Sequence, residues 1–263
     1  MEAKEAFESA LVRAENFLTL YDLLHDTRAR KVRRDWAGRF KEVMHWPASE
    51  KIVRIDGKDC KSILILRGEL GIDRSRFTHE VLSELLRSAL VAAVSALDRY
   101  LHDLVVEHSW KLLSRKEEDI PPELMKLQLP ILTTKKALKK LRSDAKSRPG
   151  YIVKKAVQEH LHRQFTFQNP DSVVVACQML GVKDFWAQVA SEMPGSHGKK
   201  EVISSLRYIA TRRNQIVHEA DLILKIKAKA ITTRPIGLAE TREHVEWIRS
   251  FVAAIDTVVR GAT

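Results

Sequence analysis

The chain has 263 residues and a mass of 30.1 kDa, with 44% hydrophobic and 30% charged residues, enough apolar content to bury a core without disulfide staples. Its two cysteines, Cys60 and Cys177, form no CxxC pair, which excludes a zinc ribbon or disulfide framework and fits a reducing compartment. Forty-five Lys and Arg against 34 Asp and Glu leave a net charge of +11, so nucleic acid heads the classes of partner.

The elements follow in chain order. Residues 3–24 carry Ala6, Ala10, Leu11, Phe17, Leu18, Tyr21 and Leu24 at helical spacing. They alternate charged with apolar residues, so the expectation is that they are no signal peptide. A second helix is predicted over 31–44, stopped by Pro47. Ile52-Val53-Arg54-Ile55, then Asp56-Gly57, then Ser62-Ile63-Leu64-Ile65-Leu66 predict a short β-hairpin within 52–66. Thr78 reads as the N-cap of a long helix, whose apolar face runs through Leu82, Leu85, Leu86, Ala89, Leu90, Ala93, Val94, Leu97, Leu101, Leu104 and Val105. Its apolar run Ala89–Leu97 is about nine residues, where a membrane span needs about 20. Pro121-Pro122 and Pro130 interrupt the chain afterwards. Helices are then predicted near 135–147, 151–165, from Asn169-Pro170 to Leu180, 182–192, 200–218 and 239–260. The fold class is therefore all-α: an N-terminal helical extension with the hairpin over 1–75, and a helical bundle over 76–263.

Positive charge gathers in three places. Residues 28–34 hold five cations in seven. Residues 135–155 include Lys135, Lys136, Lys139, Lys140 and Arg142, the expected RNA-binding set; Lys225, Lys227 and Lys229 form the third cluster. A single cluster reads equally well as a solvated helix face, but the three together favour a polyanion.

Several chemistries are excluded. Gly198-Lys199 has Met193 where a Walker-type phosphate loop needs glycine, and no GxGxxG, GxSxG or HExxH occurs. His160 and His162 are two apart, His102 and His108 six apart, and neither pair has a ligand cluster around it. No metal or other cofactor is expected.

Residues 202–220 carry the most information. Steps of three and four along Val202, Leu206 and Ile209 reach Arg213 and then Ile216 and Val217, which predicts that Arg213 lies on the buried stripe. Asn214 and His218, four apart, share the adjoining face. On the long helix Asp98 falls in line with Val94, Leu101 and Val105 and needs a partner. A buried Asp98–Arg213 ion pair is one expectation, with His102 one turn further along.

Arg213-Asn214-Gln215-Ile216-Val217-His218 resembles the Arg-(four to six residues)-His motif of the HEPN superfamily, in which a polar residue follows the arginine. With Arg212 and Asp221 on either side, and with Ala96-Leu97-Asp98-Arg99-Tyr100-Leu101-His102-Asp103 on the long helix, the chain is similar to the RiboL-PSP-HEPN branch over roughly 76–260. The resemblance implies a helical bundle that dimerises and a metal-independent RNA endonuclease. Such enzymes cleave by attack of the 2′-hydroxyl, in toxin–antitoxin or antiphage systems. It assigns catalysis to Arg213, Asn214 and His218 and support to Asp98, His102, Arg212 and Asp221. Arg212 also fits the motif spacing; Asn214 directly after Arg213 favours Arg213. The expected partners are RNA, a second copy of the chain, and an antitoxin or other defence protein, in the cytoplasm. Two other readings stay open: a HEPN fold kept as a non-catalytic RNA-binding or interaction module, and modification of Tyr208 by a nucleotidyltransferase.

Overall fold

The computed structural model describes residues 2–58, 62–132, 135, 139, 150–195, 198–223 and 232–262. The chain is mainly helical with one small sheet. In order come α1 (Ala3–Leu24), β1 (Arg28–Arg30), α2 (Arg34–Val43), β2 (Ile52–Asp56), β3 (Ile63–Arg67), α3 (His79–Leu113), α4 (Pro122–Met125), α5 (Gly150–Gln164), α6 (Pro170–Met179), α7 (Phe185–Glu192), α8 (Lys199–His218) and α9 (Leu238–Ala262). The predicted helix over 135–147 lies mostly outside the described residues.

The chain divides into two compact units. One comprises residues 1–13, 90–234 and 243–263; the other comprises 14–89 and 235–242. In the first, α3 runs through the core with Leu90, Ala93, Val94, Leu97, Tyr100, Leu101, Leu104 and Val105 all buried. Phe7 of α1 is fully buried and meets the Tyr100 ring edge-on, with centroids 5.8 Å apart. Phe251 of α9 stacks on Trp247 at 4.9 Å and Trp186 of α7 at 6.1 Å. A Cβ on Gly150, the first residue of α5, would come 2.8 Å from the Trp110 ring, so only glycine lets the backbone approach that closely. Asn169 starts α6 with a capping box: its side chain accepts from the Ser172 N–H while Ser172 Oγ accepts from the Asn169 N–H. Cys177 of α6 is wholly buried, and burial pushes its thiol well above the ordinary range.

The second unit holds the three-stranded antiparallel sheet, in the order β1-β2-β3. The hairpin register pairs Ile52 with Arg67 and Asp56 with Ile63. Arg28–Arg30, read from sequence as part of a basic cluster and not as a strand, adds an edge strand, with Arg28 opposite Asp56 and Arg30 opposite Arg54. This shortens the second helix, which begins at Arg34 instead of residue 31. Thr78 stands before α3 as expected, and its Oγ1 accepts from the Val81 N–H at 3.4 Å.

Candidate active site

Helix α8 carries the motif in its last two turns. Its apolar stripe, Val202, Leu206, Ile209 and Ala210, leads to a buried Arg212, 7% exposed. The expectation for Arg213 is thereby corrected by one residue: Arg212 lies on the buried line, Arg213 is half-buried, and Val217 is 45% exposed. A helix turns 100° per residue, so steps of three and of four from Ile209 land on either arginine, and the partner decides which one is buried.

That partner is Asp221. The guanidinium of Arg212 grips its carboxylate with both ends, Nη2 to Oδ2 at 3.0 Å and Nη1 to Oδ1. Asp221 reaches back because the chain reverses just past the helix. Ala220 and Asp221 adopt φ of +49° and +57°, and the Asp221 N–H donates to the Gln215 carbonyl at 2.9 Å. Two successive non-glycine residues in the left-handed region are strained by about 1–2 kcal/mol each. The ion pair and bonds from residues 232–234 hold them there. Arg234 N–H donates to the Asp221 carbonyl at 2.8 Å, Arg234 Nη1 to the Leu222 carbonyl at 2.7 Å, and Leu222 bridges Thr233. Arg234 Nη2 also meets Glu219 Oε2 at 3.1 Å. Nothing in the pattern of the sequence singles out Arg234; its role depends on the return of the chain.

Above this brace, Arg213 Nη1 donates to Asn214 Oδ1 at 3.0 Å, and Arg213 Nε is buried with no hydrogen-bond partner among the described residues. Asn214 and His218 are exposed, and His218 is the last residue of the helix. The arrangement presents an oriented guanidinium edge and an imidazole on one open helix end. A planar fork suits a phosphate, and an imidazole can move a proton near neutral pH. Tyr208, also exposed, has its ring 5.5 Å from that of His244.

Asp98 and His102 belong to another cluster. The Asp98 carboxylate accepts from Phe167 N–H at 2.5 Å and from Gln168 Nε2 at 3.1 Å, and lies 3.6 Å from His102 Nε2. The Asp98–Arg213 pair is therefore replaced: the donors that satisfy Asp98 come from the stretch between α5 and α6. His102 is 3% exposed, stacks on His162 with centroids 4.6 Å apart, and packs on Phe167 at 4.7 Å. The histidines thus pair across two helices, a juxtaposition that spacing along either helix does not reveal. Burial, then the neighbouring His102 and Arg99, lowers the pKa of His162.

Burial tends to raise the pKa of Asp98, but the hydrogen bonds from His102, Phe167 and Gln168 outweigh it and hold the carboxyl below the usual range. A depressed carboxylate contributes stability that is present above its unfolded value, about 3.9, and is lost as pH falls through the folded one. Asp98→Ala is expected to lower stability at neutral pH by about 1–3 kcal/mol, since it leaves the Phe167 N–H unpaired. It is also expected to make unfolding less sensitive to acid below about pH 4. Urea titrations at pH 7 and pH 3 check both effects.

Of the expected RNA-binding residues, Lys135 and Lys139 are exposed in helical backbone. Lys136, Lys140 and Arg142 lie outside the described residues, as do Lys225, Lys227 and Lys229. Among the described residues, no helix is long and apolar enough to cross a membrane.

The sequence model of the RiboL-PSP-HEPN family matches residues 59–260. No curated protein and no solved structure matches.

Proposed function

Because the chain belongs to the RiboL-PSP-HEPN family, over residues 59–260, we propose that it is a metal-independent RNA endonuclease. The observation that carries this reading is the Arg213–Asn214 hydrogen bond beside an exposed His218 on one helix end. In the proposed reaction the 2′-oxygen attacks the adjacent phosphorus as its proton leaves. The bond from phosphorus to the 5′-oxygen breaks, and that oxygen takes up a proton. The products are a 2′,3′-cyclic phosphate and a 5′-hydroxyl. Arg213 stabilises the charge that builds on the non-bridging oxygens, where fixed donors act most strongly. Asn214 holds the guanidinium in orientation through its Oδ1. His218 carries a proton between the reacting oxygens. The buried Arg212–Asp221 pair fixes the helix end that carries all three.

One motif supplies few groups for both charge stabilisation and proton transfer. A two-fold dimer brings a second Arg213 and His218 to the same phosphate, and such self-complementary pairing is the commonest oligomer geometry. Lys135, Lys136, Lys139, Lys140 and Arg142 contact the RNA backbone in this reading, which places the protein in the cytoplasm as a toxin or antiphage effector, held in check by an antitoxin or another defence protein.

Purified protein is expected to run as a dimer by light scattering, to cut RNA in EDTA, to leave cyclic-phosphate ends, and to spare DNA, which lacks the 2′-hydroxyl. Cleavage abolished by chelation and restored by magnesium would overturn the mechanism. RNA bound but left intact would assign the chain to the non-catalytic module instead.

A further inference from the structure

The basic run at 28–34 is not used by the proposed nuclease motif, yet the fold builds part of it into a pocket. Antiparallel pairing puts Arg28 opposite Asp56 and Arg30 opposite Arg54, and the period of two sends all four side chains to one face of the sheet. On that face lies a cavity of about 420 Å³ lined by Asp26, Thr27, Arg28, Arg30, Asp56, Gly57, Lys58 and Arg74. The four cations face two carboxylates, a surplus of two positive charges.

The carboxylates are already engaged. Asp56, 3% exposed, receives Arg54 Nε at 2.7 Å and Nη2 at 3.0 Å, and lies 3.5 Å from Arg30 Nε. Asp26 is 3.9 Å from Lys58 Nζ and 3.1 Å from His25 Nδ1. Asp56 thereby anchors the guanidinium of Arg30 beside the cavity. Arg28 and Arg74 have no ion-pair partner among the described residues. In the same wall Thr27 is 2% exposed, and its Oγ1 makes no hydrogen bond to any described group. That hydroxyl is sealed from the cavity, so recognition there falls to the cations. Gly57 keeps the wall tight: a Cβ there would lie 2.1 Å from Ser62 Oγ and 2.8 Å from the Leu23 carbonyl oxygen.

We propose that this pocket binds a phosphate monoester, with Arg28, Arg30 and Arg74 around the phosphoryl oxygens. A monoester carries about −1.5 to −2 at neutral pH, which matches the surplus of two. A backbone diester carries one charge and has no terminal oxygens to enclose. The cavity is larger than a phosphate group alone, and the exposed carboxylate of Asp26 in its wall can accept from a ribose hydroxyl. The ligand is a nucleoside monophosphate, either free or as the 5′-phosphorylated end of an RNA. The site lies outside the motif of α8, and its occupancy does not depend on cleavage.

The test measures binding of inorganic phosphate, 5′-AMP and a short oligoribonucleotide with either a 5′-phosphate or a 5′-hydroxyl, by calorimetry and by the rise in melting temperature. His218→Ala protein, compared with the unaltered chain, keeps the oligomer intact. Phosphate and 5′-AMP are expected to bind in competition. A 5′-phosphorylated oligomer that joins that competition identifies an RNA end as the source; one that does not identifies the free nucleotide. Arg28→Ala and Arg74→Ala are each expected to weaken 5′-AMP binding roughly tenfold. The proposal fails if neither phosphate nor 5′-AMP binds at millimolar concentration, or if both variants bind 5′-AMP as the unaltered chain does.

Discussion

Replacing either Arg213 or His218 by alanine is expected to lower RNA cleavage by on the order of 10²-fold or more. The two losses should differ in kind. Arg213 acts through a directed fork, already oriented by its bond to Asn214, so Arg213→Lys restores the charge without the second donor and recovers little activity. In the proposed reaction His218 transfers a proton, so His218→Ala should flatten the dependence of the residual rate on pH near neutrality. Neither change should unfold the protein. His218 is exposed, and the hydrogen bond of Arg213 goes to an exposed neighbour. Single-turnover cleavage of a defined RNA across pH 5–9, beside thermal melts, measures all of this. Full activity in well-folded His218→Ala would remove the histidine from the mechanism.

The largest effect on stability is expected one residue away. Arg212 and Asp221 are both buried and hold each other at both ends. Arg212→Ala or Asp221→Ala leaves a buried charge without its partner and is expected to cost about 3–5 kcal/mol. Replacing both with apolar residues of similar volume, Arg212→Met with Asp221→Leu, should recover most of that loss, since desolvation of the pair offsets much of its attraction. The double variant separates folding from function: it keeps Arg213 and His218 but gives up the contact that fixes the reversed turn after α8. Denaturant unfolding of the three variants, with cleavage measured on those that fold, checks the ordering. Single variants as stable as the unaltered chain would contradict the buried pair.

How much of this was legible in the sequence depends on how far each contact reaches along the chain. The helical spans of α1, α3 and α9 are local patterns and fall close to where periodicity puts them, but the buried line of α1 runs through Ala3, Phe7 and Ala14 where the spacing singled out Ala6, Ala10 and Phe17. The hairpin of β2 and β3 is local too, and alternation and the Asp56-Gly57 turn already announce it. β1 carries no such signal, being three residues long with two arginines, and only pairing with β2 makes it a strand. Within the site, the helix and its open end could be read, but the choice between Arg212 and Arg213 could not. That choice is made by Asp221, nine residues on, through a turn whose left-handed residues are not glycine. The partners of Asp98 lie about 70 residues away, in a segment with no periodicity to mark it.

The first helix bears on how the chain can be divided. Its opening residues, up to 13, belong to the same compact unit as residues 90–234, and Phe7 and Leu11 are buried to 0% there. The family match begins at residue 59, beyond them and between the two strands of the hairpin. A chain started at that point would lack Phe7 against Tyr100 and would leave β3, with Ile63, Leu64, Ile65 and Leu66, without the strand that covers its edge. An uncovered apolar edge is a template for pairing with other chains. The homologous region is therefore a unit of descent but not a unit of folding: the smallest chain that keeps this core includes the amino-terminal helix, and truncation at the family boundary opens the core and leaves an aggregation site.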